Sequence, residues 1–562
     1  MKRQKSQKPQ AAPEPAPSVP VGPGPWEANV RPILDRYSVV LAIAFVLIAT
    51  LRIASTWHLF ATIGDEPAHL AAGMEYLSKH QYNYDRQHAP LACIMAALGP
   101  YLAGVRPQNY PGFMQEGQAI VSSQGHPELT LDLVRAGVLP FFFLACFVVY
   151  SWARRDFGPA IAAVATGLFT LIPPVLAHAS VGCTDMALCA CFAAAFYAIV
   201  LWAEDPTWKR TILMALGVAA AILSRFTSMG FLAASAVFAG GGLRLARRGP
   251  PFALVTRDHV LRFAAASGIT ALAVWAVYRF SFGPVPVWNI SLPAPEFFDG
   301  VRISFEHSRL GHPAFLLGEY SLKGWWYYFP VALLVKTPLG LLIPALAGLW
   351  FFARQWREPR FYVPLAVAAG ILFPAITSNT NIGLRLILPI YIVFSIAAAY
   401  AIDHWATYKP TAILGGALTA WLVVSSIGAH PDYIPYFNLI AGSEPDKILV
   451  DSDYDWGQDT KRLAARLREL HVPAIAYMGV GASDKDAALL QKFPGLPPYT
   501  PINPLQPAEG YSVVSPTFWR TTQYGLYYKY PNIKPWFEQF APQEKVGTLL
   551  IYYVAPGSLR RK

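Results

Sequence analysis

Charge is scarce in this chain: Asp, Glu, Lys and Arg make up 14% of its 562 residues, against 54% hydrophobic ones. That balance excludes a string of soluble domains, because the apolar positions gather in blocks of about 20, the length a helix needs to cross roughly 30 Å of hydrocarbon. Cysteine is scarce too. Cys93, Cys146, Cys183, Cys189 and Cys191 lie in or beside apolar blocks at spacings that match no metal framework, so neither disulfides nor a thiolate site is expected. No internal repeat or inverted symmetry relates the halves of the membrane region, which speaks against a secondary transporter. The net charge is +11, yet most of the excess Lys and Arg sits between apolar blocks, where it orients helices, and nucleic acid is not an expected partner.

What is present is a polytopic membrane protein. Residues 1–36 read as a disordered, basic and Pro-rich cytosolic tail. The apolar block that follows has no small-residue cleavage site and reads as a retained first span. Further blocks fall near 133–152, 158–177, 186–203, 211–224, 227–243, 263–281, 327–350, 361–377, 386–402 and 411–428, about eleven spans in all. With the N-terminus inside, the alternation places Arg154, Arg155, Lys209, Arg210, Arg244, Arg247, Arg248, Arg257, Arg354, Arg357 and Arg360 on the cytoplasmic face. Three pieces then lie outside: a first loop at 61–130 with interfacial helices, a second at 282–326, and 430–562. The last reads as a small α/β domain, with strands expected in KILVDSD, AIAYMG, YSVVSP and TLLIYYV and helices in DTKRLAARLREL and KDAALLQKF.

The run IGDEPAHL at 63–70 follows the first span and carries Asp65 and Glu66. Asp before a first-turn Pro is a common helix start, and carboxylates suit the positive end of the dipole. Position adds a second reading, because apolar surroundings at a membrane exit raise a carboxylate toward general-base values. Asp185, after Thr184, falls at the outer end of another span and offers the same two readings, cap or site. Basic residues share that level: Arg225 in ILSRFTSMG, Lys336 in LLVKTPLG and Arg385 in NIGLRLILPI. Lys336 lies about two and a half turns into its block, where a charge costs on the order of 3 kcal/mol and needs a partner such as a phosphate. His88, in DRQHAPLA, is a weaker phosphate candidate, and His69 reads as a packing residue and not as a metal ligand. The aromatic run at 324–329 marks an interface or a sugar-stacking face.

Outward carboxylates beside membrane-level cations suit group transfer from a lipid phosphate: the cations hold the leaving phosphate and Asp65 deprotonates an acceptor hydroxyl. Direct displacement inverts the anomeric carbon. A flippase for lipid-linked sugars needs the same cations, and an assembly protein with merely capping acids is the third alternative.

The runs GDEPAHLAAGMEYL and HAPLA, the Thr184–Asp185 pair, GWWYYFPVALLVKTPL, NIGLRLILPIY and HPDYIPYFNLIAG with VDSDYDWGQDTKRL resemble the bacterial lipid-carrier-dependent glycosyltransferases related to protein O-mannosyltransferases and to the aminoarabinose transferase of lipid A. The similarity runs from about 37 to 470. It implies the C-type glycosyltransferase superfold in a bacterial inner membrane, with the α/β domain extracytoplasmic. It implies a polyprenyl-phosphate-linked sugar and a lipid, protein or glycan acceptor as partners, besides membrane lipid. It matches Asp65, with Glu66 beside it, to the base or acceptor-positioning group, Asp185 to the second acidic position, and Arg225 to a position where many relatives carry Lys. It leaves a divalent cation at Asp65, Glu66 and Asp185 open, since some members bind one and others need none. In the tail it covers Asp451, Asp453, Asp455, Trp456, Gln458 and Asp459, read here as helix capping plus acceptor binding, with Asp453, Asp455 and Trp456 as acceptor contacts.

Overall fold

A computed structural model describes residues 30–246, 256–286, 288–481, 484–529, 532 and 534–557. Most of the expected tail, 1–29, lies outside them. Its last residues do not belong to a tail, because helix Arg31–Ala54 opens on Arg31 with Pro32 in its first turn, where a missing amide hydrogen and a preset φ are no handicap.

Each apolar block expected from the sequence folds as helix. Among the described residues, six helices, among them Asp185–Glu204, Pro359–Ile376 and Lys409–Gly428, are long and apolar enough to cross a membrane, or seven if a pair bent by 69°, Pro159–Phe169 and Pro173–Ala179, is counted as one span, against about eleven expected spans. The bend falls at Pro173–Pro174, which cannot continue a preceding helix. The block at 327–350 is broken likewise, into Tyr328–Lys336 and Leu339–Arg354 on either side of Pro338. Large apolar side chains on the periphery, such as Leu51 at 71% exposure, face outward as a lipid-facing surface requires. Inside, small residues let helices meet: a Cβ on Gly348 would lie 1.9 Å from the Ala397 carbonyl oxygen, so Leu339–Arg354 packs backbone to backbone on Ile390–Trp405.

The piece at 61–130 is helical, with Glu66–Lys79, Pro90–Leu102 and Phe113–Ser122 packed together and Pro127–Ala136 leading back into Leu139–Phe157. The piece at 282–326 holds two antiparallel hairpins, Phe282–Val285 with Ile290–Pro293 and Ala314–Leu316 with Glu319–Ser321, around helix Pro295–Leu310.

The C-terminal unit is a five-stranded sheet in spatial order Tyr499–Pro501, Ile475–Met478, Gly510–Val514, Leu549–Val554 and Glu544–Val546. The first three run parallel and the last two pairings are antiparallel. Helix Thr460–Glu469 buries Leu463 and Leu467 on it. Three of the four expected strands are present. KILVDSD is not one: it forms short turns at Pro445–Lys447 and Asp451–Asp453, because its carboxylates and Ser452 bond to local backbone and to the membrane part instead of a ladder. Tyr433, Ile434, Leu449 and Trp456 pack in the core of the helical part, so that core extends past the expected boundary at 430.

Candidate functional site

Asp65 sits at the N-cap of Glu66–Lys79, yet its side chain makes no capping bond. It turns to Arg385, whose Nη1 donates to Asp65 Oδ2 at 2.7 Å across 320 residues of sequence. The carboxylate keeps 34% of its side-chain surface exposed. Burial pushes its pKa up, but the charge of Arg385, with His69 and His88 further off, outweighs burial and holds it at about 2. The expected upward shift is therefore reversed, because the apolar surroundings come with a buried guanidinium.

Arg385 lies in the turn Leu384–Ile387, 4.1 Å over the Trp456 ring, and its Nη1 is also 3.7 Å from Asp185 Oδ2. Asp185 is fully buried at the start of Asp185–Glu204, where no side chain caps the helix. Its Oδ1 accepts from Arg225 Nη1, and His178 Nδ1 stands 3.9 Å from Oδ2. Arg225 occupies the break between Trp208–Ser224 and Thr227–Ala246, in extended backbone. Asp185 Oδ2, His178 Nδ1 and Arg385 Nε, all buried, find no hydrogen-bond partner among the described residues, so polar valence is left over around Asp185.

Glu66 is not part of this exposed lip. It is 1% exposed and receives Arg135 Nε at 2.9 Å and Nη2 at 3.0 Å, with the Ile63 and Gly182 amides at 3.0 and 2.8 Å. Arg135 in turn donates to the Trp57 and Ala61 carbonyls. Every lone pair within reach is used, and the pair ties the exit of the first span to the Pro127–Ala136 helix.

Lys336 ends the short helix Tyr328–Lys336 at the Pro338 break, so it does not project from a continuous span as expected. Its Nζ donates to the Ile434 and Asp453 carbonyls at 2.7 and 2.6 Å and lies 4.3 Å over the Phe437 ring. These groups supply the partner that a phosphate was expected to be. The three expected acceptor contacts are also structural. The Asp453 carboxylate accepts from the Leu384 amide at 3.0 Å and so fixes the turn that carries Arg385. Trp456 supports Arg385 from below, and its carbonyl accepts from the Gly64 amide at 2.8 Å. Asp455 is buried under the sheet, accepting from Ser515 Oγ and the Gly457 amide. Burial, aided by the charge of Asp459, raises its pKa to about 6 against those hydrogen bonds.

Beside Asp65, the sequence reading missed a polar cluster. His69, one turn along the same helix, places Nδ1 3.4 Å from Asp85 Oδ2 and 3.6 Å from Cys93 Sγ. Asp85 Oδ2 also receives His88 Nδ1 at 2.8 Å. In the piece at 282–326, His307 lies 5.8 Å from His312, ring to ring. Burial, with His312, His88 and Arg225 nearby, pushes the pKa of His307 down. Arg135, His178, Asp85, His307 and His312 sit singly in the sequence, without any spacing that marks them.

The acids do not suit a shared cation. Asp65 carries Arg385, Asp185 carries Arg225, and Glu66 carries Arg135, so each carboxylate already faces a guanidinium, and a divalent ion there would meet three fixed positive groups. A cavity of about 560 Å³ lies apart, among His58, Glu128, Asp132, Lys461 and Arg468, and touches none of these residues.

Residues 133–249, which carry Arg135, His178, Asp185 and Arg225, match the family described as dolichyl-phosphate-mannose-protein mannosyltransferase. That segment lies within the stretch on which the resemblance was drawn from the sequence. No curated protein matches the chain. Among solved structures it is similar to ArnT from Cupriavidus metallidurans bound to undecaprenyl phosphate, at 15% identity over 91% of this chain and 97% of that one, TM-score 0.48. The apo state of the same protein gives 14% identity, the same coverage and a TM-score of 0.49. The Archaeoglobus fulgidus oligosaccharyltransferase in its apo form gives 12% identity over 84% of this chain and 69% of that one, TM-score 0.42.

Proposed function

We propose that this chain is a membrane glycosyltransferase that moves one sugar from a polyprenyl-phosphate carrier to an acceptor hydroxyl outside the cytoplasm, with inversion. The observation that carries the reading is the bridge Asp65–Arg385–Asp185 with Arg225 beside it, at the end of the helices opposite the Arg155–Glu204 pair. The family match over the segment with Asp185 and Arg225 supports the donor class.

Two carboxylates face two guanidinium groups, so the lip is close to electrically balanced until a donor arrives. A phosphate shares Arg385 and Arg225, with the imidazoles of His88, His307 and His312 as further hydrogen-bonding groups on the border. As the phosphate draws on Arg385, Asp65 loses part of the field that holds its carboxyl low and gains proton affinity. The acceptor oxygen then bonds to the anomeric carbon as its proton passes to Asp65. The bond from that carbon to the phosphate oxygen breaks with its electron pair on the phosphate, where the guanidinium groups stabilise the growing charge. Asp185 holds Arg225 and Arg385 in place.

The test is the purified full chain in vesicles with labelled polyprenyl-phosphate sugars and envelope acceptors. The expected result is a new glycosidic bond seen by mass spectrometry. Donor crossing the bilayer with no new bond would replace this reading by a flippase.

A further inference from the structure

The piece at 61–130 holds a second constellation beside the transfer site, whose three members make no bond to a reacting group in the chemistry above. His69 and Cys93 are buried to 1% and 0% exposure and Asp85 to 8%. They come from three places: helix Glu66–Lys79, helix Pro90–Leu102 and the turn between them. Among the described residues, this is where three His, Cys, Asp or Glu side chains come within ion-sharing distance, one ligand atom from each lying within 4.8 Å of the others.

The geometry points to a divalent metal site of the zinc class, with His69 Nδ1, Asp85 Oδ2 and Cys93 Sγ as ligands. A tetrahedral zinc with bonds near 2.0–2.3 Å sets neighbouring ligand atoms about 3.3–3.6 Å apart, and His69 Nδ1 stands 3.4 Å from Asp85 and 3.6 Å from Cys93. One nitrogen, one carboxylate oxygen and one sulfur form a borderline-soft set that suits zinc or cobalt and not magnesium or calcium. Cys93 gives up its thiol proton on binding. The surroundings are those of a held ligand: His88 Nδ1, 20% exposed, orients Asp85 from the solvent side, and the Tyr82 hydroxyl donates to the His88 carbonyl at 3.0 Å and so fixes that residue in turn. The backbone is fixed as tightly. A Cβ on Gly73 would lie 1.9 Å from the Cys93 carbonyl oxygen, so the two helices cannot slide apart without losing contact. A bound ion would pin both helices one turn below Asp65.

The experiment strips the purified full chain in detergent with a chelator, then adds cobalt(II) alone and, separately, zinc(II) alone. The expected result is one metal per chain and a thiolate-to-cobalt charge-transfer band. Cys93→Ser loses the band and binds at least tenfold more weakly, whereas Cys146→Ser, in the membrane helix Leu139–Phe157, keeps both. Uptake by the unaltered chain no higher than by Cys93→Ser, or a band that survives Cys93→Ser, overturns the site. X-ray absorption at the zinc edge of the unaltered chain gives an answer even where Cys93→Ser fails to fold. A shell of one sulfur with nitrogen and oxygen is expected, and a shell without sulfur overturns the site.

Discussion

Arg385 Nη1 stands 2.7 Å from Asp65 Oδ2, joining a turn before one membrane helix to the exit of another 320 residues earlier. The same nitrogen lies 3.7 Å from Asp185, so a single guanidinium organises both acids.

Removing that guanidinium therefore affects two carboxylates at once. Arg385→Gln leaves Asp65 and Asp185 without their shared charge, and transfer falls by about 10² or more, the order seen when one electrostatic donor is lost. Arg385→Lys keeps the charge but not the fork, and recovers only part of the rate. Steady-state transfer in vesicles reads both. A Gln variant at full rate would remove Arg385 from the site.

Glu66 has a structural duty. Glu66→Gln strands a buried Arg135 and costs about 3–5 kcal/mol, as breaking a buried pair does. Replacing both by apolar residues, Glu66→Leu with Arg135→Met, restores much of that stability. Thermal unfolding in detergent measures it. A Glu66→Gln protein as stable as the wild type but inactive would return Glu66 to catalysis.

Gly64 lies against Trp456, and an added Cβ would sit 2.6 Å from the indole Nε1. Gly64→Ala pushes the ring off Arg385, costs about 1–3 kcal/mol by overpacking, and lowers transfer about tenfold. Gly230→Ala, whose Cβ meets only Pro374 at 4.0 Å, is the neutral control. Equal rates for the two variants would sever Trp456 from the site.

Asp455 makes the C-terminal unit sensitive to pH. Its folded pKa is raised by burial from 3.8 to about 6, so between those values the folded form holds more proton than the unfolded one. Stability from this group is full below about pH 4 and is lost as pH rises through about 6, a change on the order of 3 kcal/mol. Asp455→Asn keeps an acceptor for the Gly457 amide and flattens that slope. Denaturant unfolding across pH 4–8 checks it, and an unchanged slope in the variant would assign the dependence elsewhere.

Much of the architecture could be read from the sequence because membrane helices announce themselves by length and apolarity. Asp65, Asp185, Arg225 and Arg385 were legible for the same reason, as charges standing next to apolar blocks. Pairing was not legible. Nothing local says that Lys336 meets the Ile434 and Asp453 carbonyls, or that Glu66 meets Arg135, since these contacts cross between distant segments. The direction of the Asp65 shift was misread for that reason, because apolar surroundings are visible in sequence and a partner 320 residues away is not. His69 and Cys93 looked like packing residues one at a time, and only the contact between their helices joins them through Asp85.

The most direct measurement is the transfer rate of Asp65→Asn in vesicles at saturating polyprenyl-phosphate sugar, with donor binding followed in parallel. The account predicts a properly inserted protein that still binds donor and transfers about 10²- to 10⁴-fold more slowly, the cost of losing a general base. A rate equal to that of the wild type would contradict it.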